Sequence, residues 1–112
     1  MSQFAPLPSI ASVTVAVHAA RYNPALASRE IANAIRVLAK SERALSRLAE
    51  QDCNGPSLTP AQYARSERIC KKAHDAAQLL GYFARMQFDP RGPAIRLYRF
   101  GQPDDGCGLT LY

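Results

Sequence analysis

The chain has 112 residues, of which 47% are hydrophobic, and it carries a net charge of +5 with a pI of about 9.4. This length and apolar content predict one folded domain and argue against a disordered chain. The basic excess permits an acidic partner such as nucleic acid, whereas no run of about 18 apolar residues exists, so we expect no membrane-spanning segment and no membrane partner.

Residues 1–22 allow two interpretations. Val13, Val15 and Val17 alternate as in a strand, but Ile10, Val13 and Val17 also recur at helical spacing. We favour a short helix because alanine-rich sequence follows. No basic region precedes the apolar residues, so we expect no signal peptide and a cytoplasmic protein.

A long first helix is predicted from Asn23-Pro24 onward, because Asn can cap a helix and Pro suits its first position. Asn54-Gly55-Pro56 should end it, with the glycine in the left-handed conformation. Between these signals, apolar residues recur on one face: Ala27, Ile31, Ala34, Leu38, Leu45, Leu48 and Ala49. Glu30, Glu42 and Asp52 flank this apolar face.

A second helix is predicted from Thr59-Pro60 to about Leu80, where Gly81 ends it. Thr59 and Gln62 have the spacing of a capping box. The predicted apolar face contains Tyr63, Ile69, Cys70, Ala73, Ala76, Ala77 and Leu80. The short connection predicts that residues 23–80 form an antiparallel helical hairpin.

Beyond Gly81 the apolar period changes from that of a helix to that of a strand. Residues 82–88 and 95–98 are predicted strands, and Asp89-Pro90-Arg91-Gly92 has the chemistry of the turn between them. Residues 109–112 offer a third strand. The predicted fold class is therefore α+β in a single domain of residues 1–112: a helical hairpin followed by a β-hairpin or a three-stranded antiparallel meander over residues 82–112.

The two turns resemble those of small uncharacterised proteins encoded by bacteriophages and prophages of proteobacteria. The matching residues are Cys53, Asn54 and Gly55, then Asp89, Pro90, Arg91 and Gly92, then Ile95 and Leu97. The resemblance covers roughly residues 36–98. It implies an α+β fold, a mobile-element origin and a bacterial host, and it implies no activity.

Five cations of the first helix lie opposite its apolar face, within an arc of about 60° at ~100° per residue. We call them the basic ridge: Arg29, Arg36, Lys40, Arg43 and Arg47. Over about 27 Å, at ~1.5 Å per residue, the ridge could track a phosphate backbone or an acidic protein patch, or it could be a solvated helix face. The second helix adds a shorter row of Arg65, Arg68 and Lys72 beside its apolar face.

The outer face of the sheet is the second candidate surface. If Tyr82 and Ala84 pack inward, the residues expected to point outward are Phe83, Arg85, Arg96 and Tyr98. Such a face could stack bases and hold phosphates, or it could anchor a protein partner with Arg85, Arg96 and Tyr98. Alternatively, the N-terminal segment folds over it and buries the aromatic rings.

Metal binding and catalysis have little support. Cys70 and His74 lie four residues apart on a helix, and Cys53 and Cys107 would complete a Cys3His set, but no close cysteine pair is present. We therefore expect reduced thiols, no metal and no cofactor. No glycine-rich phosphate loop, metalloprotease helix or serine elbow occurs, so we do not expect an enzyme.

The candidate surfaces favour a non-enzymatic binding protein, and the resemblance implies that it belongs to a phage or other mobile element. Its most concrete form, which rests on the resemblance and not on any residue pattern, is an inhibitor of a host defence system, similar to anti-CRISPR proteins, that occludes a surface of a host protein or protein–nucleic-acid complex. The alternative is an accessory or regulatory protein that binds nucleic acid directly through the basic ridge. A structural phage component or a metal-stabilised domain ranks third, and a homodimer is compatible with the alanine-rich helices.

Overall fold

The computed structural model describes residues 10–55, 57–86 and 94–100. In chain order these form helices α1 (Ile10–Tyr22), α2 (Ser28–Asn54) and α3 (Pro60–Leu79) and strands β1 (Tyr82–Met86) and β2 (Ile95–Arg99). The strands pair antiparallel, with Tyr82 opposite Arg99 and Met86 opposite Ile95. The predicted α+β class is confirmed. The predicted turn at 89–92 and the third strand at 109–112 lie outside the described residues.

The described part of the N-terminal segment, Ile10–Tyr22, is helical, as favoured from the sequence. Val15 and Ala19 of α1 are fully buried in the shared core, whereas Val13 and Val17 are each 49% exposed. A strand would have placed all three valines on one side. The observed burial instead follows the helical spacing of four residues between Val15 and Ala19.

The predicted start of α2 at Asn23-Pro24 is wrong by about one turn of helix. The backbone N–H of Asn23 donates to Ala19 O at 2.9 Å, which closes α1, and Leu26 N–H donates to Asn23 O at 3.0 Å. Pro24 therefore occupies the second position of a tight turn, another place where its fixed torsion fits. Helix α2 begins at Ser28 after an extended Ala27 that is exposed and supplies no side-chain cap, so Ala27 does not belong to the apolar face.

The connection between α2 and α3 combines one confirmed prediction and one error. Thr59 and Gln62 form the predicted capping box, with Thr59 N–H donating to Gln62 Oε1 at 2.9 Å and Gln62 N–H donating to Thr59 Oγ1 at 3.2 Å. Gln62 also exchanges two side-chain hydrogen bonds with Gln51 of α2, at 2.9 and 3.1 Å. Gly55, however, has φ −144° and is extended rather than left-handed.

The buried face of α3 differs from its prediction at one end. Ala73, Ala76, Ala77 and Leu80 are buried and Ile69 and Cys70 are half-buried, as expected. Tyr63 is 50% exposed, and Ser66 takes the buried position in that turn, where its hydroxyl donates to Tyr63 O at 2.7 Å. Tyr63 lies about 80° from the centre of the buried arc at ~100° per residue, which explains its exposure.

Gly81 joins α3 to the sheet at a crowded point. It has φ +84°, the left-handed conformation expected of a helix-ending glycine, and an added Cβ would lie 2.6 Å from Tyr22 Cγ and 2.9 Å from His18 Nε2. His18 Nε2 lies 3.2 Å from Gly81 O, within donating distance, and the His18 ring meets the Tyr82 ring edge-on at 4.7 Å. The C-terminal turn of α1 thus packs against the end of the sheet where β1 begins.

A buried carboxylate ties the sheet to α2. Glu42 is 7% exposed, and its two oxygens accept the backbone N–H groups of Ala94 at 2.9 Å and Ile95 at 2.8 Å, where β2 starts. Burial raises the pKa of Glu42 above its usual 4.5, and the two backbone hydrogen bonds lower it by less than burial raises it. The sequence pattern placed Glu42 beside the apolar face and gave no sign of this role.

Candidate functional site

The basic ridge is exposed along its whole length. All five side chains of the ridge face solvent, and Arg36 makes a local hydrogen bond from Nη1 to Asn33 Oδ1 at 3.0 Å. Among the described residues no carboxylate lies within 4.0 Å of a ridge cation, since the ion pair found there joins Lys71 to Asp75 at 3.5 Å. The ridge therefore presents an uncompensated row of positive charge on a rigid helix.

The hairpin also forms a groove between α2 and α3, which we call the interhelical groove. It has a volume of about 530 Å³. The four cations at its rim are Lys40, Arg65, Arg68 and Lys72. The tertiary structure thus brings Lys40 of the basic ridge together with the three cations of the row on α3. From the sequence, the ridge and the row are two separate features.

The other four described residues that line the groove are neutral and mostly apolar, and we call them its floor. Val37, Ala44 and Ile69 contribute its apolar side chains, and Val37 is 36% exposed. Ser41 is the polar residue of the floor, and its hydroxyl hydrogen is used within α2 by donation to Val37 O at 2.7 Å. Among the described residues that line this groove none is acidic, so none of them neutralises the positive charge of the rim.

The outer face of the sheet is less open than predicted. The rings of Phe83 and Tyr98 stack with centroids 5.2 Å apart, and the guanidinium of Arg85 lies 5.2 Å from the Tyr98 ring centroid. Tyr98 is only 8% exposed and Arg96 is half-buried, whereas Arg85 is exposed. The expectation that Tyr98 is an exposed anchor is therefore corrected, because the residue is buried and its ring contacts Phe83 and Arg85.

The alternative in which the N-terminal segment covers this face stays a prediction, because residues 1–9 of that segment lie outside the described residues. The ring contacts that α1 makes to the sheet region in this part of the chain are those of His18 with Tyr82 and of Tyr22 with Phe100. Phe83 and Tyr98 instead contact one another. Arg85 lies directly opposite Arg96 in the strand register, so two cations share this face.

The cysteine and histidine candidates do not assemble in the described residues. Cys70 is half-buried, and burial raises the pKa of its thiol, as does the negative charge of Glu67 to a smaller extent. His74, one turn further on, is exposed. Within residues 10–55, 57–86 and 94–100 no three metal-ligating side chains cluster, while Cys107 and the side chain of Cys53 lie outside the described part.

Sequence reasoning missed the interhelical groove. It identified Arg65, Arg68 and Lys72 as a row, but not what they face across the hairpin. A signal was present in the small residues Ser41 and Ala44, which leave room between two helices that both carry cations at the edge of their contact.

Two general findings complete the description. In the parts of the chain that the structure describes, every helix is too short or too polar to cross a bilayer. Comparison of the chain with protein-family models, with curated proteins and with solved structures gave no match.

Proposed function

We propose that this protein is a non-enzymatic binding protein that docks onto an acidic macromolecular surface through the cations of α2 and α3. The observation that supports it is that five cations of α2 and three of α3 are all exposed, with no carboxylate within 4.0 Å among the described residues. Such charges repel one another in the free protein, and an acidic partner would relieve that repulsion.

The scaffold suits docking because the cations lie on helices that are already fixed. Helix α2 contributes Ile35, Leu38 and Leu45 to the core, each with at most 1% exposure. Its backbone therefore does not need to be ordered on binding, and little of the binding free energy is lost to ordering the scaffold. The ridge would provide long-range steering and orientation for the partner.

The more specific form of the proposal rests on the resemblance to phage and prophage proteins. In that form the partner is a host protein or protein–nucleic-acid complex of a defence system. This protein occludes a surface that is acidic or that normally contacts nucleic acid, as anti-CRISPR proteins do. The protein would then act inside the bacterial host cell.

Affinity capture from host lysate with a ridge variant tests this proposal. The wild-type protein should recover a defined complex, and Arg36→Glu/Arg43→Glu should recover at least tenfold less of it. Arg21→Glu/Arg99→Glu is the matched control, because both arginines are exposed and lie outside α2 and α3. Circular dichroism checks that all variants are folded. Equal recovery by the ridge variant would contradict the proposal.

Direct binding of nucleic acid is the second candidate, and the linear arrangement of the ridge favours it. Five cations over about 27 Å of helix could follow the phosphates of one strand. If all five contact duplex DNA, the logarithm of the binding constant should fall with the logarithm of salt with a slope of about −4.5, at ~0.9 per phosphate. Titration of labelled single- and double-stranded DNA measures it, and absence of binding at low salt would eliminate this candidate.

A further inference from the structure

We propose that the interhelical groove is the docking site for an acidic amphipathic α-helix of a protein partner. This inference deepens the proposed function and rests on it, because it assigns a structural class to the acidic partner. The occupant would lay its apolar side against the floor of the groove and place acidic side chains along both edges. It would thereby add a third helix alongside α2 and α3.

The floor of the groove argues for apolar side chains in the occupant. Val37, Ala44 and Ile69 line a cationic cleft, where a phosphate backbone would cover them with polar atoms and gain nothing from their burial. Ser41 adds no free hydroxyl donor, since its hydrogen is committed to Val37 O. Apolar side chains from a helix would instead remove this surface from water.

The rim argues for acidic side chains at helical spacing. Arg65, Arg68 and Lys72 follow one another at intervals of three and four residues and span about 10 Å along α3, at ~1.5 Å per residue. Two turns of a partner helix have about this length, and carboxylates spaced three or four residues apart on it would meet the three cations in turn. Lys40 provides a cation on the opposite side of the groove.

The composition of the groove argues against single-stranded nucleic acid as its occupant. Proteins that bind single strands combine cations with aromatic rings on which bases stack. In the part of the chain that the structure describes, none of the residues that line this groove is aromatic. The volume of about 530 Å³ lies in the range of ~300–1,000 Å³ typical of ligand pockets, which is sufficient for several apolar side chains.

Selection from a random peptide library tests the inference without knowledge of the partner. Sixteen-residue peptides displayed on phage are selected on the wild-type protein, and the enriched sequences should carry apolar residues at i, i+3 or i+4 and i+7, flanked by Asp or Glu. The binding constant of a fluorescent synthetic copy of the most enriched peptide is then measured by anisotropy. Enriched sequences without this pattern, or no enrichment, would overturn the inference.

Two groove variants show where the peptide binds. Val37→Glu adds a charge to the floor at an exposed position, and Arg68→Glu/Lys72→Glu reverses the rim; each should weaken binding of the peptide at least tenfold. The matched controls are Val17→Glu, another exposed valine on a helix, and Arg21→Glu/Arg99→Glu. Both controls should change binding less than twofold, with folding of each variant checked by circular dichroism.

The outcomes separate this inference from the proposed function. If the groove variants bind the peptide as tightly as wild type, the inference fails, while loss of partner capture by Arg36→Glu/Arg43→Glu would still support the proposed function. If labelled DNA binds with a salt-dependent affinity that the groove variants abolish, and no acidic peptide is enriched, the groove is a nucleic-acid site and the inference is also overturned.

Discussion

Replacement of Glu42 by Gln should destabilise the protein at the point where β2 joins the helical hairpin. In the wild type each carboxylate oxygen accepts one backbone N–H, from Ala94 and Ile95. A glutamine at this position has the same shape but only one acceptor oxygen, and its amide nitrogen would face the other N–H. One buried donor is then left without an acceptor.

The size of the effect follows from the burial of the group. Glu42 is 7% exposed, so water cannot readily replace the lost acceptor. A buried donor without a partner costs about 1–3 kcal/mol, and this is the expected loss in the free energy of unfolding at pH 7. Glu42→Ala leaves both N–H groups without an acceptor and should cost about 2–5 kcal/mol.

Urea unfolding followed by circular dichroism measures this loss. With an m value of about 2 kcal/mol/M, a loss of 2 kcal/mol lowers the midpoint by about 1 M. Glu50→Gln is the matched control, because Glu50 lies on the same helix and is exposed; it should change stability by less than about 0.5 kcal/mol. If Glu42→Gln were no more destabilised than this control, the carboxylate would not be what holds the start of β2.

The same carboxylate predicts a pH dependence of stability. Because the pKa of Glu42 is raised above 4.5 in the folded state, the folded protein binds the proton more tightly than the unfolded chain. The part of the stability that comes from this tighter proton binding is thus fully present below about pH 4.5 and is lost as pH rises through the raised pKa, whereas the two backbone hydrogen bonds to Glu42 remain. The difference in the free energy of unfolding between wild type and Glu42→Gln should therefore become smaller from pH 4.5 to pH 7. Glu50→Gln serves as the reference at each pH. A difference that becomes larger over this range would contradict the raised pKa.

Two further predictions concern the ends of α3. Gly81→Ala should lower the free energy of unfolding by more than about 1 kcal/mol, because the residue has φ +84° and an added Cβ would clash with two aromatic rings of α1. Gly55→Ala, at φ −144°, should cost less when both variants are measured by urea unfolding, and equal losses would refute the argument from backbone conformation. Thr59→Ala should lower the free energy of unfolding by about 1 kcal/mol through loss of the capping box. The control is Ser57→Ala, which changes an exposed residue of the same connection and should have almost no effect on stability. A Thr59→Ala variant as stable as Ser57→Ala would show that the cap contributes nothing.

The sequence by itself determined the features that depend on neighbouring residues. The capping box of Thr59 and Gln62, the end of the helix at Gly81 and the change from helix to strand after it were all predicted correctly. Each follows from contacts or torsions within a few residues, which local sequence specifies. The exposed basic ridge was predictable for the same reason, since helical periodicity alone places five cations opposite the apolar face.

Where local chemistry allows two outcomes, the sequence did not decide between them. Asn23-Pro24 suits both a helix start and a tight turn, and the structure uses the turn because α1 ends there and α2 must begin at a new angle. Tyr63 fitted the apolar face of α3 in sequence but is exposed, because the contact with α2 selects a narrower arc.

Only the tertiary structure decided the features that join distant parts of the chain. Glu42 meets the backbone at residues 94 and 95, more than fifty positions away, and Lys40 lies across a groove from the cations of α3. Tyr98 is buried and stacks on Phe83 of the neighbouring strand. Periodicity gives the face of a helix or strand on which a residue lies, but the opposing element and its register depend on packing of the whole core.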